Sequence, residues 1–169
     1  MAKRGSLREF QAHLAARLAG VGDRKAAGLL GFQAGNDHWL VDLTDSGEIV
    51  PMTPLAVVPL AKPWFVGIAN IRGNIYSVVD FSAFQGKETT PHNASSRLLL
   101  VGTRYGSNAA LLVTRMLGLR NEESLKEAPN DPGAPVWVTK AYTDNEGRRW
   151  CKLDVPTLLA NEEFMDVGI

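Results

Sequence analysis

The side chains of this sequence that could carry chemistry are few and scattered. Histidine occurs only at positions 13, 38 and 92. One falls in a helical-period stretch, one on the polar face of a strand-like run and one in a loop, so no pair has the spacing of metal ligands. The run Asp42-Leu43-Thr44-Asp45-Ser46-Gly47 opens like a calcium loop, but its twelfth position is Thr53, where a bidentate carboxylate is required. Gly86-Lys87 is followed by Glu88 and lacks the upstream glycine of a phosphate-binding loop, and no dinucleotide fingerprint occurs. Cys151, the only cysteine, alternates with Arg149 and Leu153 and has no sequence-local base or activating helix terminus, which favours a buried structural thiol over a nucleophile. Asp80 closes an apolar run without a second paired carboxylate, and capping a helical turn that opens at Ser82 and Ala83 suits it better than acid catalysis. The expectation is a chain with no catalytic residue, no cofactor and no metal.

Composition narrows the partners. The 169 residues suit one domain or two small subdomains sharing a core. With 18 basic and 18 acidic side chains the formal charge is zero, so no field draws the whole molecule to nucleic acid or an anionic membrane. A single cysteine excludes an intrachain disulfide and fits a reducing compartment. The first twenty residues lack the uninterrupted apolar stretch of a secretion signal, and no run reaches the roughly 18 apolar residues of a membrane span. The expected location is cytoplasmic, without direct membrane insertion, and the glycosylation triplet Asn93-Ala94-Ser95 reads as a chance match in a polar loop.

The elements that must position any site follow from periodicity. Leu7, Phe10, Leu14 and Leu18 repeat at three and four residues, predicting an amphipathic helix over 6–19 with Ser6 and Glu9 as a capping box. Residues 1–27 are expected to form this helix and a linker loosened by Gly20 and Gly22. The helix either completes a core or meets a partner. From Gly28 the period becomes two. Leu30, Phe32 and Ala34 share one face, and beyond Gly35-Asn36 the residues Trp39, Val41 and Leu43 share another, predicting a hairpin. Further hairpins are predicted from runs 98–101 and 110–113 and from 136–142 and 148–153, with strands at 54–59 and 74–81. Segments 85–96 and 127–135 read as loops. A short C-terminal helix is predicted to start at Asp154, with Pro156 in its first turn and Leu158 and Leu159 buried. Many short strands divided by turns predict an all-β fold, preferably a pair of small barrels over 28–165.

The informative stretch runs from Pro63 to Phe81. Gly67 and Gly73 can take backbone angles closed to other residues, which predicts a tight, shaped element over Ile68 to Arg72 leading into the strand at Ile75. Arg72 beside a turn is either a solvated turn residue or a charged fork offered to a partner's oxygens, with Phe65, Ile68 and Ile71 as core or as contact area. The residues alone leave both readings open.

This stretch resembles the CheW family, whose pattern is a Gly-Val-x-Asn-Leu-Arg-Gly turn followed by an apolar strand ending in Asp. Here it stands as Gly67-Ile68-Ala69-Asn70-Ile71-Arg72-Gly73, then Ile75 to Asp80. The resemblance extends upstream to Glu48-Ile49 and Pro59 to Pro63, downstream to RLLLVGT, ALLVTRMLGL and the last hairpin, and covers residues 28 to 160. Ser77 departs from it, standing where the family often has proline. With Trp64-Phe65, the pattern looks most like the CheW-type adaptors of the type IV pilus pathway that controls twitching motility.

The resemblance implies two SH3-like barrels of about five strands each, and a non-catalytic adaptor between two partners. Those partners are a methyl-accepting chemoreceptor signalling tip and the regulatory domain of a CheA-type histidine kinase. It also implies recruitment to membrane receptor arrays. Glu48, Gly67 and Arg72 match family positions associated with receptor contact, and Ile68, Asn70, Ile71 and Gly73 complete the candidate receptor-binding surface. Two rivals carry their own signatures. A single-stranded nucleic-acid barrel needs exposed aromatics tracked by basic residues, and an enzyme using Cys151 needs an activated thiol.

Overall fold

The computed structural model describes residues 28–168. The helix expected over 6–19 lies outside them. The described chain forms eleven strands and few helices. Strands β1 (Leu29–Ala34) and β2 (Asp37–Asp42) make the expected first hairpin, and β3 (Ser46–Pro51) follows. Next come β4 (Phe65–Ile71), β5 (Asn74–Asp80) and the short helix α1 (Phe81–Phe84). Strands β6 (Arg97–Val101), β7 (Ala109–Val113), β8 (Arg115–Arg120) and β9 (Lys126–Ala128) lead to the last hairpin, β10 (Val138–Thr143) with β11 (Arg149–Leu153). Helices α2 (Val155–Ala160) and α3 (Glu162–Met165) close the described chain.

The strands form two sheets, of six strands in the order β8-β1-β2-β11-β10-β9 and of five in the order β3-β6-β7-β5-β4, where about five in each were expected. The chain starts in the first sheet, builds all of the second, and returns through β8 to finish the first. The two halves are therefore intertwined rather than consecutive.

Strand alternation explains why one sequence makes three cores. Leu99 and Val101 of β6, with Ala109, Leu111 and Val113 of β7, belong to the large core between the sheets, together with Leu30, Phe32, Trp39 and Val41 from the first sheet. The intervening residues Leu98, Leu100, Ala110 and Leu112 turn the other way and join Val50, Ala69, Ile71, Tyr76 and Val78 in a second core. Leu29, Leu40, Leu125, Tyr142 and Trp150 do the same for the first sheet. Runs such as LLLV and ALLV lack polar alternation because both faces of those strands are covered.

Four expectations need correction. Residues 54–59 are not a strand and pair with the sheet through the single Ala56–Ile68 bridge, while Leu55 and Val58 pack against the cores. Pro54 and Pro59 supply no N–H at either end of the segment, which cannot sustain a ladder there. Ile68 to Ile71 is regular strand, with only Arg72-Gly73 left as the turn, because Ile71 pairs directly with Asn74. Glu127 and Ala128 belong to β9, so the loop after them begins at Pro129. Leu43, expected in the first hairpin, lies beyond β2 and is exposed.

Asp80 fulfils the capping reading and extends it. It is 3 % exposed, receives the Ala83 N–H at 3.3 Å as the cap of α1, and accepts both the N–H and the hydroxyl of Thr90 at 2.7 Å. One carboxylate thus ties the end of β5 to α1 and to the loop running toward β6. Asp80→Ala strands the buried Thr90 N–H, and the expected loss is about 3 kcal/mol of unfolding free energy, read from the urea midpoint at constant slope.

Candidate functional site

The β4–β5 hairpin closes through two residues, Arg72 and Gly73, both with positive φ (+54° and +84°), as a type I′ turn demands. The Asn70 side-chain oxygen accepts the Gly73 N–H at 3.0 Å and fixes the loop. Glycine meets the left-handed requirement without strain; arginine does not, and Asn would suit its position better. Arg72 nevertheless holds its side chain 76 % exposed, with Nη2 2.5 Å from Oε1 of Glu48. Glu48 sits on β3, at the opposite edge of the five-stranded sheet from β4. The sheet curls until its two edges come within ion-pair reach around the second core, the barrel-like form expected for it.

Gly67 explains how that edge is finished. Its φ is +150°, and a Cβ there would lie 2.5 Å from the carbonyl oxygen of Ala56. Without it, Ala56 approaches closely enough to exchange hydrogen bonds of 2.8 and 2.9 Å with Ile68, covering an otherwise open strand. Gly67 and Ile71 are buried and shape the hairpin from within, and Ile68 is half-buried. Glu48, Asn70, Arg72 and Gly73 carry the accessible part of the predicted surface.

Sequence reasoning missed the ground beside the turn. Ile75, three residues after Arg72, is 53 % exposed. It opens a groove of about 380 Å³ lined by Ser77, Val79, Asn108, Phe164 and Met165, among others. Alternation offered the available signal: Tyr76 and Val78 turn inward, so Ile75 and Ser77 must turn out. Contributions from Asn108 and α3 could not be seen, since they depend on tertiary placement.

The remaining chemical candidates are spent on structure. Asp45, weighed as a calcium ligand, is buried and accepts the Tyr105 hydroxyl at 2.6 Å, which raises the phenol's pKa. Among the described residues no group of three His, Cys, Asp or Glu side chains could hold a metal. Cys151 is half-buried, and burial pushes its thiol up from the ordinary value. Burial and the cations Arg148 and Arg115 lower the pKa of His38. His38 packs on Trp150, on the sheet face opposite the one that carries Cys151, so the two make no dyad. Trp39, Trp64, Trp137 and Trp150 are each at most 8 % exposed, which leaves none as a stacking platform for bases.

Comparison with known proteins fits this geometry. The family described as CheW-like domain matches residues 28–163. The chain is 34% identical over 138 residues to the chemotaxis protein CheW of Rhizobium meliloti, covering 80% of this chain and 88% of that protein. It is 27% identical over 144 residues to protein PilI of Pseudomonas aeruginosa, covering 83% and 79% respectively. The crystal structure of the scaffolding protein TtCheW from Thermoanaerobacter tengcongensis shares the fold, with a TM-score of 0.63 at 20% identity over 75% of this chain and 87% of that one. The chain belongs to the CheW-like domain family, a family of scaffold and coupling adaptors in chemotaxis and pilus pathways.

Two outcomes follow from the local physics. Arg72→Asn exchanges a strained residue and one exposed ion pair for a residue suited to the turn, so unfolding free energy changes by no more than about 1 kcal/mol in urea titration. Cys151 reacts with iodoacetamide at pH 7 more slowly than an unhindered thiol such as glutathione, and its rate is still climbing at pH values where the free thiol has levelled off.

Proposed function

We propose that this member of the CheW-like family couples a methyl-accepting chemoreceptor to a CheA-type histidine kinase, and that the β4–β5 turn with the groove beside it receives the receptor's signalling tip. The observation that carries the proposal is Arg72. A charged residue is kept in a left-handed turn position that costs about 1 kcal/mol, exposed at the tip of a rigid hairpin, with its fork already oriented by Glu48. Such strain in the absence of a folding benefit supports a role in recognition.

The division of labour follows from the chemistry. Ile75 and Met165 offer apolar area to the tip of a helical hairpin and supply most of the affinity. Glu48 and Arg72 select orientation: a partner carboxylate can replace Glu48 on the guanidinium, while a partner donor takes up the freed Glu48. Gly67, Ile68, Asn70, Ile71 and Gly73 hold the hairpin in the shape that presents this pair.

The kinase regulatory domain is assigned a different face, where Val57 and Leu60 stand 81 % exposed on the β3–β4 connection. Residues 28–165 form the adaptor unit and 1–27 an appended segment. The adaptor works in the cytoplasm, is recruited to membrane receptor arrays, and performs no covalent chemistry. The likeness to PilI supports placing it in the twitching-motility branch. By binding both partners it makes the two states of the receptor favour different kinase conformations.

Titration with a receptor signalling-tip fragment and, separately, with a CheA-type regulatory domain tests the reading. Wild type binds both; Arg72→Glu loses the receptor fragment by at least about tenfold while keeping the kinase domain and its own melting temperature. Unchanged receptor binding by the folded variant would remove Arg72 from the interface.

A further inference from the structure

Away from the β4–β5 hairpin, two cavities adjoin over the β1–β2 turn. The first, of about 630 Å³, lies among Trp39, Gln85, Ala134, Pro135, Arg148 and Arg149. The second, of about 600 Å³, includes Ser82, Thr89, Pro91 and Thr114. Asn36, Asp37 and Lys87 line both, so the two form one trough crossed by a low ridge. Each half alone has the volume of a site for a compact small ligand, and the trough as a whole is longer than such a ligand requires.

Its unused hydrogen-bonding capacity is mostly of one kind. The carboxylates of the first cavity are committed, Asp37 to the ammonium of Lys87 and Asp131 to the N–H of Gly133 at 3.1 Å. The donors are not. The Gln85 side-chain nitrogen is buried without a partner among the described residues. Among the described residues Arg148 has only an exposed pairing with Glu146 at 3.7 Å, and Arg149, beside the Cys151 thiol, gives one bond to a carbonyl, that of Pro129 at 3.0 Å. Across the ridge the Ser82 hydroxyl, on a residue 2 % exposed, also lacks a partner, and Glu88 supplies the one further charge. An occupant must bring an acceptor to the arginine wall, an apolar body for Ala134 and Pro135, and uncharged polar groups toward the far end.

We propose that this trough binds an extended peptide segment of a partner protein, with a glutamate or aspartate side chain against Gln85, Arg148 and Arg149 and its backbone running over the Lys87 ridge toward Ser82. A carboxylate meets a planar fork there by charge-assisted hydrogen bonds. The uncharged remainder avoids Glu88. This site lies outside the β4–β5 turn, its neighbouring groove and the Val57–Leu60 face, and its validity does not depend on them.

The test follows backbone amide shifts of the isotope-labelled full chain on adding a blocked pentapeptide, Ser-Leu-Ser-Leu-Glu amide, up to about 5 mM, the range in which single-segment contacts register. Shifts centred on Asn36, Gln85, Gly133 and Arg149 are expected, and they persist in Arg72→Glu. They weaken about tenfold in Arg148→Glu/Arg149→Glu, and also in Lys87→Ser, which changes the ridge between the halves and serves if the double variant does not fold. The glutamine counterpart of the peptide should leave these amides unmoved. Equal shifts from the glutamine peptide, equal shifts from sodium succinate at the same concentration, or no shifts at all would each overturn the proposal. Succinate would mark a small-anion site rather than a peptide trough.

Discussion

Phe32, Trp39 and Phe81 meet where the two sheets press together, with ring centroids 4.8 to 6.4 Å apart, and this shared apolar layer conditions everything else in the molecule. Strands that are covered on both faces have no solvent side to spare, so neither sheet is complete without the other. The chain answers this demand by crossing: β1 and β2 wait for β8 to β11, and the entire second sheet is built between them. Asp45 acts where the chain crosses from β2 to β3, receiving the Tyr105 hydroxyl, and Asp80 acts within the second sheet's path, holding α1 and Thr90. Buried carboxylates are tolerated because donors meet them: Tyr105 and Arg104 on Asp45, and Ala83 and Thr90 on both oxygens of Asp80.

The same constraint places the candidate site. At this end of β4 and β5 one face stays in the second core while Asn70, Ile75 and Ser77 turn out to solvent beside the turn. Ile71 is 6 % exposed and Arg72, the next residue, is almost free in solvent. The hairpin is therefore a stiff projection on a rigid base, and the recognition surface proposed for it needs no ordering on contact. Little conformational entropy is then lost when a partner arrives, which lets a small apolar groove and one ion pair suffice for a weak, specific contact. A neutral overall charge adds no long-range attraction, so selectivity must come from such local arrangements.

What could be read from the sequence was what local physics dictates. The hairpin at Gly35-Asn36, the last hairpin, the cap at Asp80 and the helix after Asp154 all announce themselves within a few residues through turn chemistry and periodicity. The segment 54–59 misled because Leu55 to Val58 is a short apolar run like a strand while its prolines deny it a ladder, and only the close approach at Gly67 shows how it covers β4 without joining the sheet. Continuous runs such as ALLV told of burial but not of two separate cores. The Glu48–Arg72 pair was out of reach because it exists only once the second sheet has curled, and curvature leaves no mark on either residue's neighbours in sequence.

That ion pair also bears on how an adaptor of this kind could be responsive. An exposed pair contributes little to folding, since water and salt screen it and two long side chains must be held still. Its value lies in what it prevents. While Glu48 occupies the guanidinium, Arg72 is neither splayed into solvent nor available to any passing carboxylate, and a partner must offer a better-placed acceptor and, for Glu48, a donor as well. Exchange of one ion pair for two is favourable only with the right geometry, and the wrong partner leaves one of the charges unmatched. In the proposed interface the turn would discriminate by the penalty it imposes rather than by the strength with which it binds, which suits a scaffold whose partners must be held in one assembly and still shift between states.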